Sequence, residues 1–184
     1  MTMETLDMLI IGAGISGIGA AVHYQKHFPE KTYTIVESRQ AIGGTWDLFR
    51  YPGIRSDSDM FTFGYKFKPW TSRKAISPGE DIRAYLRETA QEFGVDKNIR
   101  FGKRLVAANW CSHTQCWQCD IKEVASGEIT RMTSRFLFIC TGYYNYEQGY
   151  TPEFAGRDDF KGPIIHPQHW PEDLDYSGKR VIII

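Results

Sequence analysis

The chain has 184 residues, 42% of them hydrophobic and 14% aromatic, which is enough for one full domain with a sizeable core. Lys plus Arg and Asp plus Glu both number 22, so the formal net charge is zero and nothing in the composition favours nucleic acid or anionic lipid as a partner. No apolar run approaches a membrane span, and the first apolar stretch is short, glycine-rich and preceded by acidic Glu4 and Asp7, unlike a signal peptide. The four cysteines, Cys111, Cys116, Cys119 and Cys140, are too sparse for a disulfide scaffold and suit a reducing cytoplasm.

The first expected element is a strand over residues 8–11, a continuous apolar run suited to burial on both faces, which feeds Gly12, Gly14 and Gly17 in a Gly-x-Gly-x-x-Gly turn. In such a turn the first glycine permits a tight exit from the strand, the second lets the backbone approach a pyrophosphate, and the third lets the next helix pack close to the sheet. The free N–H groups and positive dipole end of that helix stabilise a diphosphate without a basic side chain, and none is present here. Ile15, Ile18, Ala21, Val22 and Gln25 give the helix an amphipathic pattern over residues 15–27, stopped near Phe28-Pro29. His23 and His27, four apart on it, lack a third ligand nearby and read as solvated helix residues rather than a metal pair. A second strand over 33–36 ends in Glu37, twenty residues beyond Gly17. An acid there accepts hydrogen bonds from ribose hydroxyls and repels a 2′-phosphate, so the site should prefer an unphosphorylated adenosine such as that of FAD or NAD; a surface glutamate is the alternative.

A long loop follows, with Gly43, Gly44, Thr45, Trp46 and Asp47, then Arg50, Tyr51, Pro52, Gly53, Ile54, Arg55, Ser56, Asp57, Ser58 and Asp59. Paired glycines allow close backbone approach, and the Pro52-Gly53 turn presents Arg55, Ser56 and Asp57. Loops at the carboxyl ends of parallel strands line ligand crevices, so the polar residues should face a ligand while Trp46, Tyr51, Phe61, Phe63, Tyr65, Phe67 and Trp70 build walls. Residues 78–93 read as a scaffold helix ended by Gly94. Residues 98–108, 117–124 and 129–133 read as strands of an antiparallel excursion, and 136–140 as a further buried strand running into Thr141 and Gly142. Cys116-x-x-Cys119 lacks a second ligand pair for zinc and a helix start for redox chemistry. Residues 150–177, rich in Pro, Gly and aromatics, read as a connection. Val181, Ile182, Ile183 and Ile184 have the form of a central strand, which without a partner domain would be an aggregation liability, so a partial sequence is expected.

Gly-Gly-Thr-Trp at 43–46, followed by Tyr-Pro-Gly-Ile-Arg-Ser-Asp-Ser-Asp at 51–59, resembles the flavin-dependent monooxygenases. Within that group, Phe160, Gly162, His166, Trp170 and Pro171 match every fixed position of the type I Baeyer–Villiger fingerprint Phe-x-Gly-x-x-x-His-x-x-x-Trp-Pro. The resemblance implies an α/β fold: a Rossmann-like FAD-binding domain at 1–149, a parallel sheet with the antiparallel excursion, then a linker at 150–178 associated with domain movement, and at 179–184 the first strand of a missing Rossmann-like NADPH domain.

It implies an FAD- and NADPH-dependent monooxygenase that inserts one oxygen atom of O2 into a ketone to give an ester or lactone, or oxygenates a sulfide, through a flavin peroxide. The residues it implies are Gly12, Gly14, Ser16 and Gly17 for the diphosphate, Glu37 for ribose, and Gly44, Thr45, Trp46, Asp47 and Leu48 for the flavin side. It adds the Leu105 backbone at the adenine, Arg55 and Ser56 toward NADPH, and Asp57 for catalysis through a partner arginine absent from these residues. Two alternatives stay open: an FAD-binding module without turnover on its own, and a flavin monooxygenase acting on amines or sulfides.

Overall fold

The computed structural model describes residues 5–184, so Glu4 lies outside the described residues. Strand β1 (Thr5–Ile11) leads through the glycine turn into helix α1 (Ile15–His27), and β2 (Tyr33–Glu37) follows. Two single-turn helices, α2 (Thr45–Leu48) and α3 (Met60–Phe63), interrupt the long loop before α4 (Gly79–Glu92). Then come β3 (Ile99–Phe101), β4 (Lys103–Cys111), β5 (Cys116–Glu123) and β6 (Ile129–Ile139). One six-stranded sheet results, in the order β3-β2-β1-β6-β5-β4. The β1–β2, β2–β3 and β1–β6 pairs are parallel, while β5–β6 and β4–β5 are antiparallel, which is the expected parallel sheet with an antiparallel excursion.

Alternation along β1 explains why it sits at the centre. Ile10 packs into a cluster with Ile18, Ala21 and Val22 of α1 and Ile82 and Leu86 of α4. Leu9 and Ile11 point the other way, to Val36, Cys119 and Ile121, so the excursion serves as the second layer. The aromatic wall is real in part: Tyr65 stacks on Phe67 at 4.7 Å and Trp46 meets Phe63 edge-on at 5.8 Å, whereas Phe61 is exposed.

Three expectations need correction. Residues 98–108 are two strands, broken at Gly102, whose φ of +65° no strand residue adopts. Residues 129–133 and 136–140 are one strand, because no turn residue separates them and β6 changes neighbours instead, pairing with β5 as far as Ser134 and with β1 from Thr133 onward. Its second half is not buried: Phe136 is 64% exposed and Phe138 and Ile139 are also exposed, since β5 has left that edge at Ser134. Residues 179–184 take no part in this sheet. Among the described residues no helix is long and apolar enough to cross a membrane. His27 Nδ1 lies 2.8 Å from the His23 carbonyl, a local contact on the helix face.

Candidate functional site

A groove of about 560 Å³ opens at the carboxyl ends of β1, β2 and β6. Gly12 leaves β1 at φ +104°, and a Cβ there would stand 2.5 Å from the Cys140 carbonyl oxygen; on Gly17 it would stand 1.9 Å from the Gly12 carbonyl oxygen. These two glycines let β1, the start of α1 and the end of β6 converge. Gly14 serves a different contact, meeting Gly44 backbone to backbone, with 3.6 Å from a Cβ on Gly14 to the Gly44 Cα. No side chain caps α1 and no acid occupies its first turn, so its leading N–H groups face the groove without a protein partner for their charge.

Glu37 is only 5% exposed, which rules out the surface alternative. Its Oε2 accepts from the Ala13 N–H at 2.7 Å and its Oε1 from the Arg39 N–H at 2.8 Å, so the carboxylate is held at the groove wall with lone pairs to spare. Arg39 Nε is buried without a hydrogen-bond partner in the structure. On the far wall, burial pushes the Cys140 thiol up to about 11, so it stays protonated at neutral pH and acts as apolar lining. Leu105 lines the groove beside a β-bulge, where the register jumps from Leu105 to Ala107 and the β4 backbone is freed from regular pairing.

Of the residues expected at the site, Gly12, Gly14, Ser16, Glu37, Gly44, Thr45, Trp46 and Leu105 line this groove, and Gly17 packs just beneath it. The others lie elsewhere. Asp47 does not line it; its carboxylate meets Arg39 at 2.7 Å, Arg50 at 3.0 Å, Arg87 at 3.5 Å and Arg83 at 3.7 Å. Leu48 ends α2 half-buried, away from the lining. Ser56 is buried: its N–H donates to the Ser77 carbonyl at 3.0 Å and its hydroxyl accepts the Ser77 N–H at 3.1 Å, because a hydroxyl enclosed between two loop segments must find a partner there. Arg55 is exposed and lines a second, larger cavity of about 1040 Å³, with Trp46 common to both. Asp57 is exposed, close enough for its charge to help raise the Tyr144 hydroxyl, after the Tyr143 hydrogen bond and burial.

Several lining residues had no sequence signal or a faint one. Lys103 and Arg104 stand at the rim, paired with Glu123 and Glu147, so basic groups do reach the groove, from a strand far along the chain. Tyr146 enters from the loop after β6: its hydroxyl would lie 3.4 Å from a Cβ on Gly44, and the Arg39 guanidinium sits 5.9 Å from its ring centre. Burial raises the Tyr146 hydroxyl above its ordinary range, with the Thr45 hydroxyl beside it opposing. The adjacent Lys103-Arg104 pair before Leu105 was the one legible hint.

With this geometry in view, comparison with known proteins is decisive. Residues 74–184 match the flavin-binding monooxygenase-like family, well over half of the chain. The chain belongs to that family. Residues 10–88 also match the NAD(P)-binding Rossmann-like domain, from the end of β1 through most of α4. FAD-containing monooxygenase EthA of Mycolicibacterium smegmatis is 57% identical over 98% of this chain, and the match covers 36% of EthA. Among solved structures, a steroid monooxygenase bound to NADP superposes with a TM-score of 0.78 at 29% identity, over 95% of this chain and 33% of its own. OTEMO in complex with FAD and NADP gives 0.76 at 29% identity, over 95% of this chain and 33% of its own. The chain thus spans about a third of the length of these relatives.

Proposed function

We propose that the groove holds FAD, with its diphosphate at the start of α1 and its adenosine ribose at Glu37, as part of an NADPH-consuming monooxygenase of Baeyer–Villiger type. The observation that carries this reading is the meeting of an uncapped helix N-terminus, the Gly14–Gly44 backbone contact and a buried glutamate in one groove. The donor set fits the group: backbone N–H groups at the start of α1 for phosphate and the spare carboxylate lone pairs of Glu37 for ribose. Bound there, FAD would supply the redox chemistry, taking hydride from NADPH and activating O2.

The chain's own part is to bind, orient and exclude water. The Ala13 and Arg39 N–H groups fix the Glu37 carboxylate so that its remaining lone pairs meet a ribose without reorganisation. Ile139, Cys140 and Leu105 close the apolar wall. Trp46, shared by both cavities, stands where an elongated cofactor would pass toward Arg55. Asp57 is the residue assigned to catalysis and Arg55 to NADPH, and the wider reading includes a ketone converted to ester or lactone, or a sulfide oxygenated, in the cytoplasm. Residues 1–149 form the FAD domain in this reading and 150–178 the linker. A second reading, an FAD-binding module without turnover on its own, is favoured by the exposure of Asp57, since oxygen transfer needs a site closed to water.

The visible spectrum of the purified chain with FAD, followed by NADPH and a simple cyclic ketone, tests both. Bound flavin that NADPH bleaches, with ketone-dependent oxygen uptake, supports the enzyme; bound flavin left unbleached supports the module; no binding removes the FAD reading. Glu37→Ala is expected to weaken FAD binding about tenfold or more, the effect of one lost charge-assisted hydrogen bond. An unchanged dissociation constant in fluorescence titration would take Glu37 off the ribose.

A further inference from the structure

Residues 160–171 are mostly exposed, yet Gln168 within them is only 6% exposed. Its burial has a specific partner: Nε2 donates to the Asn145 carbonyl at 2.8 Å. The turn that presents it, Pro167–His169, is capped by His166, whose Nδ1 accepts the Gln168 N–H at 3.2 Å, and is closed by the His169 N–H donating to the His166 carbonyl at 2.9 Å. The His166 ring is pressed against Gly149, where a Cβ would come within 2.1 Å of ring carbon Cε1. Residues 141–149 are therefore gripped twice from outside, by an amide at Asn145 and by a ring at Gly149.

Their other side faces the groove. Thr141, Gly142, Tyr144, Asn145, Tyr146 and Glu147 line it. Asn145 Oδ1 accepts the Glu147 N–H at 2.9 Å, and this turn sends Tyr146 over Gly44 and Glu147 to Arg104 on the opposite wall. The segment is a strap across the groove, and the fingerprint turn is what holds its middle.

We propose that Gln168 is a positioning residue that latches this strap over the bound cofactor, so that the fingerprint segment governs how fast FAD leaves. Gln168 occupies a variable position of the fingerprint; the fixed His166 shapes the turn and Gln168 makes the tie. The inference rests on the FAD reading of the groove, while the tie itself does not. Gln168→Met keeps the side-chain length and removes the donor, and Gly149→Ala attacks the second grip through an unrelated contact.

The test has two arms, both on the 184-residue chain. In the first, without FAD, amide hydrogen exchange at residues 141–149 is expected to quicken in both variants while β1 and β2 keep their protection. Unchanged exchange there overturns the latch, and equal quickening in β1 and β2 overturns it as general destabilisation. In the second, FAD dissociation followed by flavin fluorescence is expected to speed by roughly three- to tenfold in Gln168→Met, the range of one neutral hydrogen bond, with association little changed. The double variant should dissociate no faster than the faster single one, since both open the same strap. Faster exchange with unaltered dissociation overturns the positioning role. A parent chain that binds no FAD overturns the reading of the groove, and exchange alone then decides the latch.

Discussion

Replacing Asp47 with Asn is expected to cost about 3 kcal/mol of folding stability and to lower the melting temperature by roughly 6–12 °C. The carboxylate is 5% exposed and four guanidinium groups converge on it, two of them within 3.0 Å. They come from three places: Arg39 just after β2, Arg50 just after α2, and Arg83 and Arg87 one turn apart on α4. Asn keeps the shape and removes the charge, leaving like charges facing one another across a site that water reaches poorly. The arginines are partly solvated, which holds the figure below that of a fully enclosed pair, and added salt should narrow the difference between the two proteins. Thermal melts of both at low and high salt check this. A shift no larger than that of Arg87→Ala, where the charge removed is the most exposed of the four, would show that the cluster is not a tie between elements.

Gly17→Ala should be at least as damaging, for a steric reason. The new Cβ would stand 1.9 Å from the Gly12 carbonyl oxygen, which is backbone and cannot swing away, and Gly12 is itself pressed against the Cys140 carbonyl. Helix α1 must therefore move off β1, at about 3 kcal/mol or more, carrying its leading N–H groups out of line with the groove. Both stability and FAD affinity should fall. Gly14→Ala separates the two effects. At φ −80° and with 3.6 Å to its nearest neighbour, an Ala there fits the protein, yet its methyl stands where the phosphate must approach. Its melting temperature should match the parent while its FAD affinity drops. If the Gly17 variant melts like the parent, the close packing of α1 on β1 has more slack than the geometry gives it.

How much of this was legible in the residues follows from how far apart the interacting groups lie. The β1–turn–α1–β2 unit and Glu37 could be read directly, because each depends on local pattern: an apolar run, glycines at fixed offsets, a helical stripe, and an acid at the end of the next strand. The family likeness added Thr45, Trp46 and Leu105, and all three line the groove. Asp47 and Ser56 show where a loop motif stops being informative. Both stand among residues with a ligand-facing look, yet the carboxylate turns into an arginine cluster supplied mainly by α4 and other loops, and the hydroxyl into Ser77. Apart from Arg50, three residues on from Asp47, no spacing within 45–59 encodes those partners.

The sequence by itself determined the dinucleotide-binding unit, its glycine geometry and its acid, since a strand, a tight turn and a helix are specified by neighbours a few residues away. Only the tertiary structure decided which groups from distant segments share the groove with them. Lys103 and Arg104 arrive because β4 returns beside β5, Tyr146 because β6 runs unbroken to the groove edge, and Gln168 because a short turn meets the Asn145 carbonyl. Each of these is a contact across a closed loop of chain, settled by the packing of the sheet and its strap and not by any preference of the residues concerned.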